Sequence, residues 1–447
     1  MIKTLFLLLF LFVATICFAQ NGHFVQDART GCKLWADNAD DEIFRWSGPC
    51  INGYANGNGT ITWYQKQQKA AMYTGQVKAG RITGKGKLVI NGYGTLQGNF
   101  LNGLLNGPGA IYFANGGKTI GNFTNGAFLN LDAPYLKLLR KETVALKDTT
   151  EIYGNDDDST GLFYYLLMPR QPARAVLVLF PSTGETAENV ISCNKDLMQL
   201  AYTKNIATVV VSANYNKSLE SDPQAMHFFE TVFTQLVEKY KLPANKFILS
   251  GLSLGGCNVL QYTEMSRDSR YHTYLKPMAV IGVDPPVDMA DLYNNAKEQI
   301  VEYEQLGNAL TDSKKAALNE CHFIIDEFRK LYGGSPDQFP QKYIEGSQFS
   351  RSQPDGGYAK YLLQVPVRLY CDPDIVWQLK YKGRDYYHMN AANLSAMVNV
   401  LMKGGNTQAE LIPAIGKGFR VDGIRHPHSW SIVDAKGCVE WIISLTK

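Results

Sequence analysis

The stretch FILSGLSLGGCNVL, Phe247 to Leu260, runs from a short apolar segment into a glycine-rich turn and continues as an amphipathic segment. Ser253 stands at the centre of its Gly-Leu-Ser-Leu-Gly pattern, which a chain of this length can also contain by chance. The pattern indicates chemistry only where a buried strand precedes the serine and a helix follows it. That context lifts the hydroxyl above the edge of a sheet.

The sequence around this stretch alternates between strand and helix patterns from about Thr149 onward. GLFYYLLMP and RAVLVLF are predicted as a strand pair, and further strands are predicted in IATVVVSANY, FILSG, MAVIGVD, VPVRLYCD and AELIPAI. Helical segments such as ETAENVISCNKDLMQLAYTK and PQAMHFFETVFTQLVEKYK lie between them. The alternation predicts an α/β fold with a mainly parallel sheet, and it places Ser253 between a strand and a helix.

This arrangement resembles the α/β-hydrolase superfamily over residues 149–447. The resemblance implies that Ser253 is a catalytic nucleophile on a sharp elbow, which Gly251 and Gly255 allow because they carry no side chains. It also implies an oxyanion hole made by the Leu254 amide and by a second amide from the turn PSTGET, Pro181 to Thr186. Relatives often show His-Gly or Gly-Gly in that turn, so the second donor stays open between Thr183 and Gly184.

A base and an acid are needed to activate the serine, and the superfamily places the histidine in a loop after the last strand. Two histidines follow AELIPAI, and His428, directly before Ser-Trp and the final helix, is preferred over His426.

The acid follows the penultimate strand in most relatives. Asp374 in VRLYCDPDIVW has about the expected offset and is preferred, with Asp372 close by. Some relatives take the acid from the strand before, which leaves Asp284 as a further candidate.

About 80 residues between Asp284 and Val365, the segment 285–364, exceed what a minimal hydrolase needs and stand where the superfamily often carries a lid. Apolar residues at helical spacing predict two helices there: Leu292, Ala296, Ile300 and Tyr303 on the first, and Leu318, Cys321, Ile325 and Phe328 on the second.

Residues 46–130 repeat a glycine pattern. Gly75, Gly80, Gly84 and Gly86 recur 23 residues later as Gly98, Gly103, Gly107 and Gly109, and a third copy begins at Gly121. The pattern predicts stacked β-hairpins and resembles MORN repeats, whose relatives bind proteins or lipids or serve as architecture. No acid, base or metal cluster occurs in the repeats, so a protein or cell-surface partner is expected for them rather than chemistry.

The first residues, MIKTLFLLLFLFVATICFAQ, have the lysine, the apolar run and the small residues of a cleaved signal peptide, predicted as residues 1–19. A secreted or periplasmic protein is therefore expected. Cys32 and Cys50 flank one short glycine-rich stretch and are predicted to form a disulfide, whereas the later cysteines lie in apolar segments. No CxxC or clustered Cys/His spacing predicts a metal site.

The composition excludes one class of partner. The 44 basic and 41 acidic residues are spread without long runs of one sign and give a net charge of +3, so nucleic acid is not expected to bind.

These features predict an exported serine hydrolase that cleaves an ester or peptide bond of a small molecule without a cofactor, through an acyl-enzyme on Ser253. The alternative is a non-catalytic scaffold that uses the MORN-like repeats and an inert hydrolase fold.

Overall fold

The computed structural model of the chain describes residues 23–36, 43–65, 68–91, 94–113, 118–124, 126–129, 134–146, 162–182, 184–212, 223–421 and 423–446. The predicted signal peptide, residues 1–19, lies outside the described residues, as does Thr183. Two compact units make up the chain. The first comprises the residues up to Lys137 with Gly184–Cys193 and Val421–Ile424, and the second comprises Leu138–Thr183, Asn194–Arg420 and Arg425–Lys447.

The described residues of the first unit form two sheets whose strands are mostly antiparallel. One has the order β1-β2-β5-β4 and the other the order β12-β11-β10-β9-β8-β7-β6-β3. Their strands are β1 (His23–Gln26), β2 (Lys33–Ala36), β3 (Ile43–Trp46), β4 (Cys50–Ile51), β5 (Tyr54–Ala55), β6 (Gly57–Gln65), β7 (Gln68–Lys78), β8 (Arg81–Ile90), β9 (Gly94–Leu101), β10 (Leu104–Phe113), β11 (Lys118–Thr124) and β12 (Ala127–Leu129). The hairpin stack predicted for residues 46–130 corresponds to the larger sheet.

The repeated glycines of this sheet meet across its strands. Gly59 pairs with Gly75, Gly75 with Gly86, Gly86 with Gly98, and Gly98 with Gly109. The row leaves room for aromatic rings: a Cβ on Gly86 would lie 2.3 Å from the hydroxyl oxygen of Tyr73, which is fully buried. The glycine spacing therefore serves packing of the repeat core.

Cys32 and Cys50 are joined by a disulfide, with their Cα atoms 5.7 Å apart. This is the pair that the sequence predicts. Cys257, Cys321, Cys371 and Cys438 are buried free thiols, and Cys193 is partly buried.

The second unit is built on a mixed sheet with the order β13-β14-β16-β15-β17-β18-β19-β20. It contains β13 (Arg140–Thr143), β14 (Phe163–Leu167), β15 (Ala175–Phe180), β16 (Ile206–Val211), β17 (Phe247–Leu252), β18 (Ala279–Val283), β19 (Val367–Cys371) and β20 (Ala409–Pro413). The strands from β16 to β20 in this order are parallel, and β13 and β14 are antiparallel to their neighbours. The predicted α/β architecture is confirmed, and β13 extends the sheet ahead of Thr149.

One strand pairing was predicted wrongly. The segments GLFYYLLMP and RAVLVLF form β14 and β15, but β16 lies between them and pairs with both. Adjacency in sequence favoured a direct pair, whereas the parallel crossover from β15 to β16 places β16 on that side.

The described residues form ten α-helices: α1 (Ala187–Cys193), α2 (Lys195–Thr203), α3 (Pro223–Glu238), α4 (Leu254–Met265), α5 (Met289–Gln305), α6 (Asp312–Tyr332), α7 (Pro340–Gly346), α8 (Ile375–Tyr381), α9 (Asn390–Lys403) and α10 (Ala435–Leu445). Helix α1 falls in the first unit and the others in the second. Among the described residues, no helix combines the length and the apolar character that a membrane crossing requires.

Helices α5 and α6 are the two helices predicted in the segment 285–364. Asp288 caps α5 by accepting from the amides of Ala290 and Asp291, and Thr311 caps α6. The apolar faces of α5 and α6 form one cluster, which also includes Leu254 and Cys257 of α4. The helices of this segment therefore pack on the helix that follows the glycine-rich turn.

Helix α4 carries a buried acid in its last turn. Glu264 is 1% exposed, and its Oε1 has no hydrogen-bond partner among the described residues. Burial raises the pKa of Glu264 well above its ordinary value of 4.5. Burial therefore favours the protonated form of this carboxyl group in the folded protein.

We predict that Glu264→Gln makes stability less dependent on pH. Above the ordinary pKa the unfolded chain releases a proton that the folded chain keeps, so the free energy of unfolding of the parent falls by up to about 1.4 kcal/mol per pH unit until the folded-state pKa is reached. Urea unfolding should show the variant gaining on the parent as the pH rises above the ordinary glutamate pKa of 4.5. The exposed Glu345 supplies the control, Glu345→Gln, and a constant gap for Glu264→Gln across this range would contradict the prediction.

Candidate active site

Ser253 occupies a strained elbow between β17 and α4. Its backbone has φ 56° and ψ −122°, a conformation that a residue with a side chain rarely adopts. The Ser253 amide donates to the carbonyl of Val283, 3.0 Å away, and the Ser253 carbonyl accepts from the Cys257 amide. These bonds hold the elbow at the carboxyl ends of β17 and β18.

Two glycines let the chain turn this sharply. A Cβ on Gly251 would lie 2.2 Å from the carbonyl carbon of Gly255, and a Cβ on Gly255 would lie 2.4 Å from the carbonyl oxygens of both Phe180 and Pro181. The start of α4 thus packs directly on the end of β15. Since the chain passes from β15 to β16 on one side and returns to β17 on the other, the elbow lies at a topological switch point of the sheet, where α/β proteins bind ligands.

The histidine and the acid meet at the same edge. His428 Nδ1 lies 2.7 Å from Asp284 Oδ2, and the two side chains are 32% and 14% exposed. Asp284 directly follows Val283, the residue that accepts from the Ser253 amide. Ser253 and Asp284 therefore directly follow neighbouring strands, and His428 contacts Asp284.

Asp284 is held from several directions. Its backbone is left-handed, with φ 48°, its amide donates to Tyr370 O at 2.8 Å, and its carbonyl accepts from Asn390 Nδ2 at 2.8 Å. Burial raises the pKa of the Asp284 carboxyl, and the hydrogen bond and charge of His428 act against that rise. His428 therefore favours the charged form of the Asp284 carboxyl group. Nothing in the sequence pattern identified Asn390 as the side chain that fixes this turn.

The preference for Asp374 is not supported by this geometry, because Asp374 is engaged elsewhere. Its side chain caps α8 by accepting from the Trp377 amide at 2.9 Å, and it binds Arg425 Nη2 at 2.7 Å. These contacts hold the pKa of Asp374 below its ordinary value.

Asp372 has structural partners as well. It is buried, accepts from the amides of Gly416 and Gly418, and lies 2.8 Å from Arg425 Nη2. Arg425 therefore binds both carboxylates that follow β19. Arg425 stands three residues before His428 in the sequence. This position could have indicated that Arg425 anchors the histidine loop, but the residue was not among those predicted.

His426 is brought beside His428 but not to an acid. Its Nδ1 lies 3.1 Å from the carbonyl oxygen of His428, and its ring packs edge-on to Trp377, with the centroids 5.3 Å apart. Burial, followed by the positive charge of Arg420, lowers the pKa of His426 well below its usual range. His426 therefore contacts the backbone of His428, and the role of His428 as the base stays a prediction.

The structure describes two of the three candidate oxyanion donors, Leu254 and Gly184. Leu254 begins α4 directly after Ser253, where helix N-terminal amides point outward. Gly184 has a left-handed backbone with φ 67° and falls in the first unit, and Thr183 lies outside the described residues. The second donor stays a prediction.

Among the described residues, no group of three or more His, Cys, Asp or Glu side chains has the arrangement needed to hold a metal ion.

The repeats match a known family. A family model described as MORN repeat matches residues 73–95 and 97–118. These segments are MORN repeats. The second unit has the α/β-hydrolase fold, as its sheet order and the Ser253 elbow show. No curated protein matches the sequence.

Several solved structures resemble the chain distantly. Carboxyl esterase 2 of Tuber melanosporum has 15% identity over 69% of this chain and 87% of its own, with a TM-score of 0.42. MPT51 of Mycobacterium tuberculosis has 12% identity over 68% and 98%, with a TM-score of 0.40. A prolyl endopeptidase has 13% identity over 95% and 56%, with a TM-score of 0.43. At these scores the likenesses establish no activity.

We predict that Gly255→Ala destabilises the protein by about 1–3 kcal/mol or more, because its new methyl group would collide with two backbone carbonyls that cannot turn aside. Gly404→Ala is the control at the C-terminal end of α9, where the backbone is right-handed and the nearest atom is Cδ2 at the end of the flexible Leu363 side chain. Urea unfolding of both variants measures the difference. Equal losses would show that the elbow relaxes easily.

Proposed function

We propose that the protein is a serine hydrolase that cleaves an ester or amide bond through an acyl-enzyme on Ser253. The contact between His428 Nδ1 and Asp284 Oδ2, beside a serine on a strained elbow, carries this proposal. Because Nδ1 donates to the carboxylate, Nε2 is the ring nitrogen left to accept a proton. The imidazole is thereby oriented as a general base.

In this mechanism His428 removes the Ser253 hydroxyl proton as the serine oxygen attacks the substrate carbonyl carbon. The tetrahedral intermediate collapses when His428 returns that proton to the leaving alcohol or amine, which leaves an acyl-serine ester. Water then attacks this ester with the same proton transfers and frees the acid product. Asp284 stabilises the imidazolium that forms in each half-reaction.

Arg425 acts as a positioning residue in this proposal. It anchors the loop that carries His428 to Asp372 and Asp374 at the end of β19. A loop fixed three residues from the base keeps the imidazole close to Asp284 without drawing on the Asp284 carboxylate.

We also propose that the protein is exported. The apolar run in residues 1–19 and the disulfide between Cys32 and Cys50 support this, because disulfides persist in oxidising compartments. The MORN repeats would then bind a protein or cell-surface partner, or act as a spacer.

A fluorophosphonate probe tests the nucleophile. We predict that the folded protein is labelled covalently and that Ser253→Ala abolishes labelling, since the probe reacts with activated serines. Ser250→Ala, which removes a buried serine from the preceding strand, is the control that should keep the label. A folded parent that stays unlabelled would favour the non-catalytic scaffold.

Substitution of the acids separates the candidates. We predict that Asp284→Asn lowers turnover of an activated ester by roughly 10⁴-fold, because His428 loses the acceptor that sets its tautomer. Asp374→Asn should instead keep turnover largely unchanged, because asparagine can still cap α8 and Asp372 still binds Arg425, and the weakened pair with Arg425 should cost stability by about 0–1 kcal/mol. Ester kinetics and urea unfolding on both variants give the two readings, and a severe loss of turnover confined to folded Asp374→Asn would restore Asp374 as the acid.

A further inference from the structure

A cavity lies beside the C-terminal half of α4, in the second unit, away from the elbow that carries Ser253. Its volume is about 410 Å³, within the range of small-molecule sites. Helices α3, α4 and α7, the residues directly after α7, and the segments around Tyr271 and Tyr358 line it. Glu264, in this lining, follows Ser253 by eleven residues, which is roughly 16 Å along the helix axis. The cavity is therefore distinct from the candidate active site.

Two buried side-chain oxygens in the lining have no hydrogen-bond partner. Glu264 and Gln348 are 1% and 2% exposed, and the Oε1 atom of each is unpaired among the described residues. The Gln348 amide nitrogen donates to the Gly346 carbonyl oxygen at 3.4 Å. Since that carbonyl can only accept, Oε1 is the amide atom that remains. Buried acceptors without partners are costly, so both oxygens call for a donor inside the cavity.

The charge around the cavity favours a cation. Glu264 and Glu345 line it, and no lysine, arginine or histidine is among the described lining residues. Glu264 belongs to the last turn of α4, where the partial negative charge of a helix C-terminus attracts cations. Burial raises the pKa of Glu264 by penalising its charged form, and a bound cation compensates for that penalty.

Arg270 is a cation beside two of the tyrosines in the lining, and Asp268 already neutralises it. Its guanidinium lies 5.6 Å from the ring centroids of both Tyr271 and Tyr358. Its Nη2 lies 2.6 Å from Asp268 Oδ2, and its Nε donates to both Asp268 oxygens. Arg270 therefore holds the tyrosine rings without satisfying the oxygens of Glu264 or Gln348.

The rest of the lining favours an organic cation over a metal ion. Met226 of α3, Met265 of α4 and the two rings of Tyr271 and Tyr358 add apolar surface to the cavity. A single metal ion would fill only a small part of the volume and would leave this surface unused. An ammonium group on an apolar body uses both parts, because its N–H groups match the oxygens and its body packs on thioethers and rings.

We propose that this cavity binds a small organic molecule that carries a primary ammonium group. The ammonium donates to Glu264 Oε1 and Gln348 Oε1 at the buried end, and the apolar part lies among the methionines and tyrosines. Tyr271 and Glu345 are exposed and mark the open side of the cavity. This binding does not depend on the hydrolase function proposed above.

Isothermal titration calorimetry of the full-length protein tests the site with phenethylammonium chloride and with 2-phenylethanol, its neutral counterpart. We expect saturable one-to-one binding of the ammonium with a Kd below about 1 mM, and binding of the alcohol weaker by about tenfold or more. Glu264→Gln should weaken ammonium binding by about tenfold or more, and Gln348→Met by about fivefold. Glu238→Gln removes an exposed carboxylate at the end of α3, outside the lining, and is the control that should leave Kd unchanged.

Ser253→Ala should bind phenethylammonium as the parent does, because the serine takes no part in this site. Loss of binding in the folded Ser253→Ala variant would place the ammonium among the catalytic groups and overturn the separate site. Equal Kd values for the ammonium and the alcohol, or no saturable binding of the ammonium, would overturn cation recognition. An unchanged Kd in both Glu264→Gln and Gln348→Met would also overturn the proposal. Failure of the fluorophosphonate test would leave it standing.

Discussion

The close approach of the α4 N-terminus to the end of β15 is the contact on which the site depends. Gly255 lies against the carbonyls of Phe180 and Pro181 with no space for a methyl group. This packing forces the chain to reverse within the residues around Ser253, and the serine accepts a left-handed backbone as the consequence. The strain is localised at a residue whose side chain must stand clear of the sheet.

Much of the fold could be predicted because its signals are local. The strands β15 to β18 are buried at every position and almost entirely apolar, and helices α5 and α6 show apolar residues at helical spacing. The glycine period of the repeats likewise predicts hairpins, since glycines recur wherever rings or neighbouring strands come close. The pairing of β14 with β16 was missed because it depends on a crossover, which no local pattern records.

The choice between Asp284 and Asp374 could not be made from the sequence. Asp284 and Asp374 both follow parallel strands that end at the same edge of the sheet, so chain position alone admits either. What separates them is the partner that each carboxylate finds in space. Arg425 binds Asp372 and Asp374, and His428, three residues further on, reaches Asp284.

This division of partners follows from electrostatics. An arginine close to Asp284 would neutralise its carboxylate and compete with the imidazole for it, which would weaken the stabilisation of an imidazolium. Arg425 is instead saturated by two other acids, one of them buried and also bound to the Gly416 and Gly418 amides. Asp284 is left as a partly buried carboxylate whose raised pKa is opposed mainly by His428. Because Arg425 pairs with Asp372 and Asp374, it does not compete with His428 for Asp284. The loop that these ion pairs anchor also carries His428, which contacts Asp284.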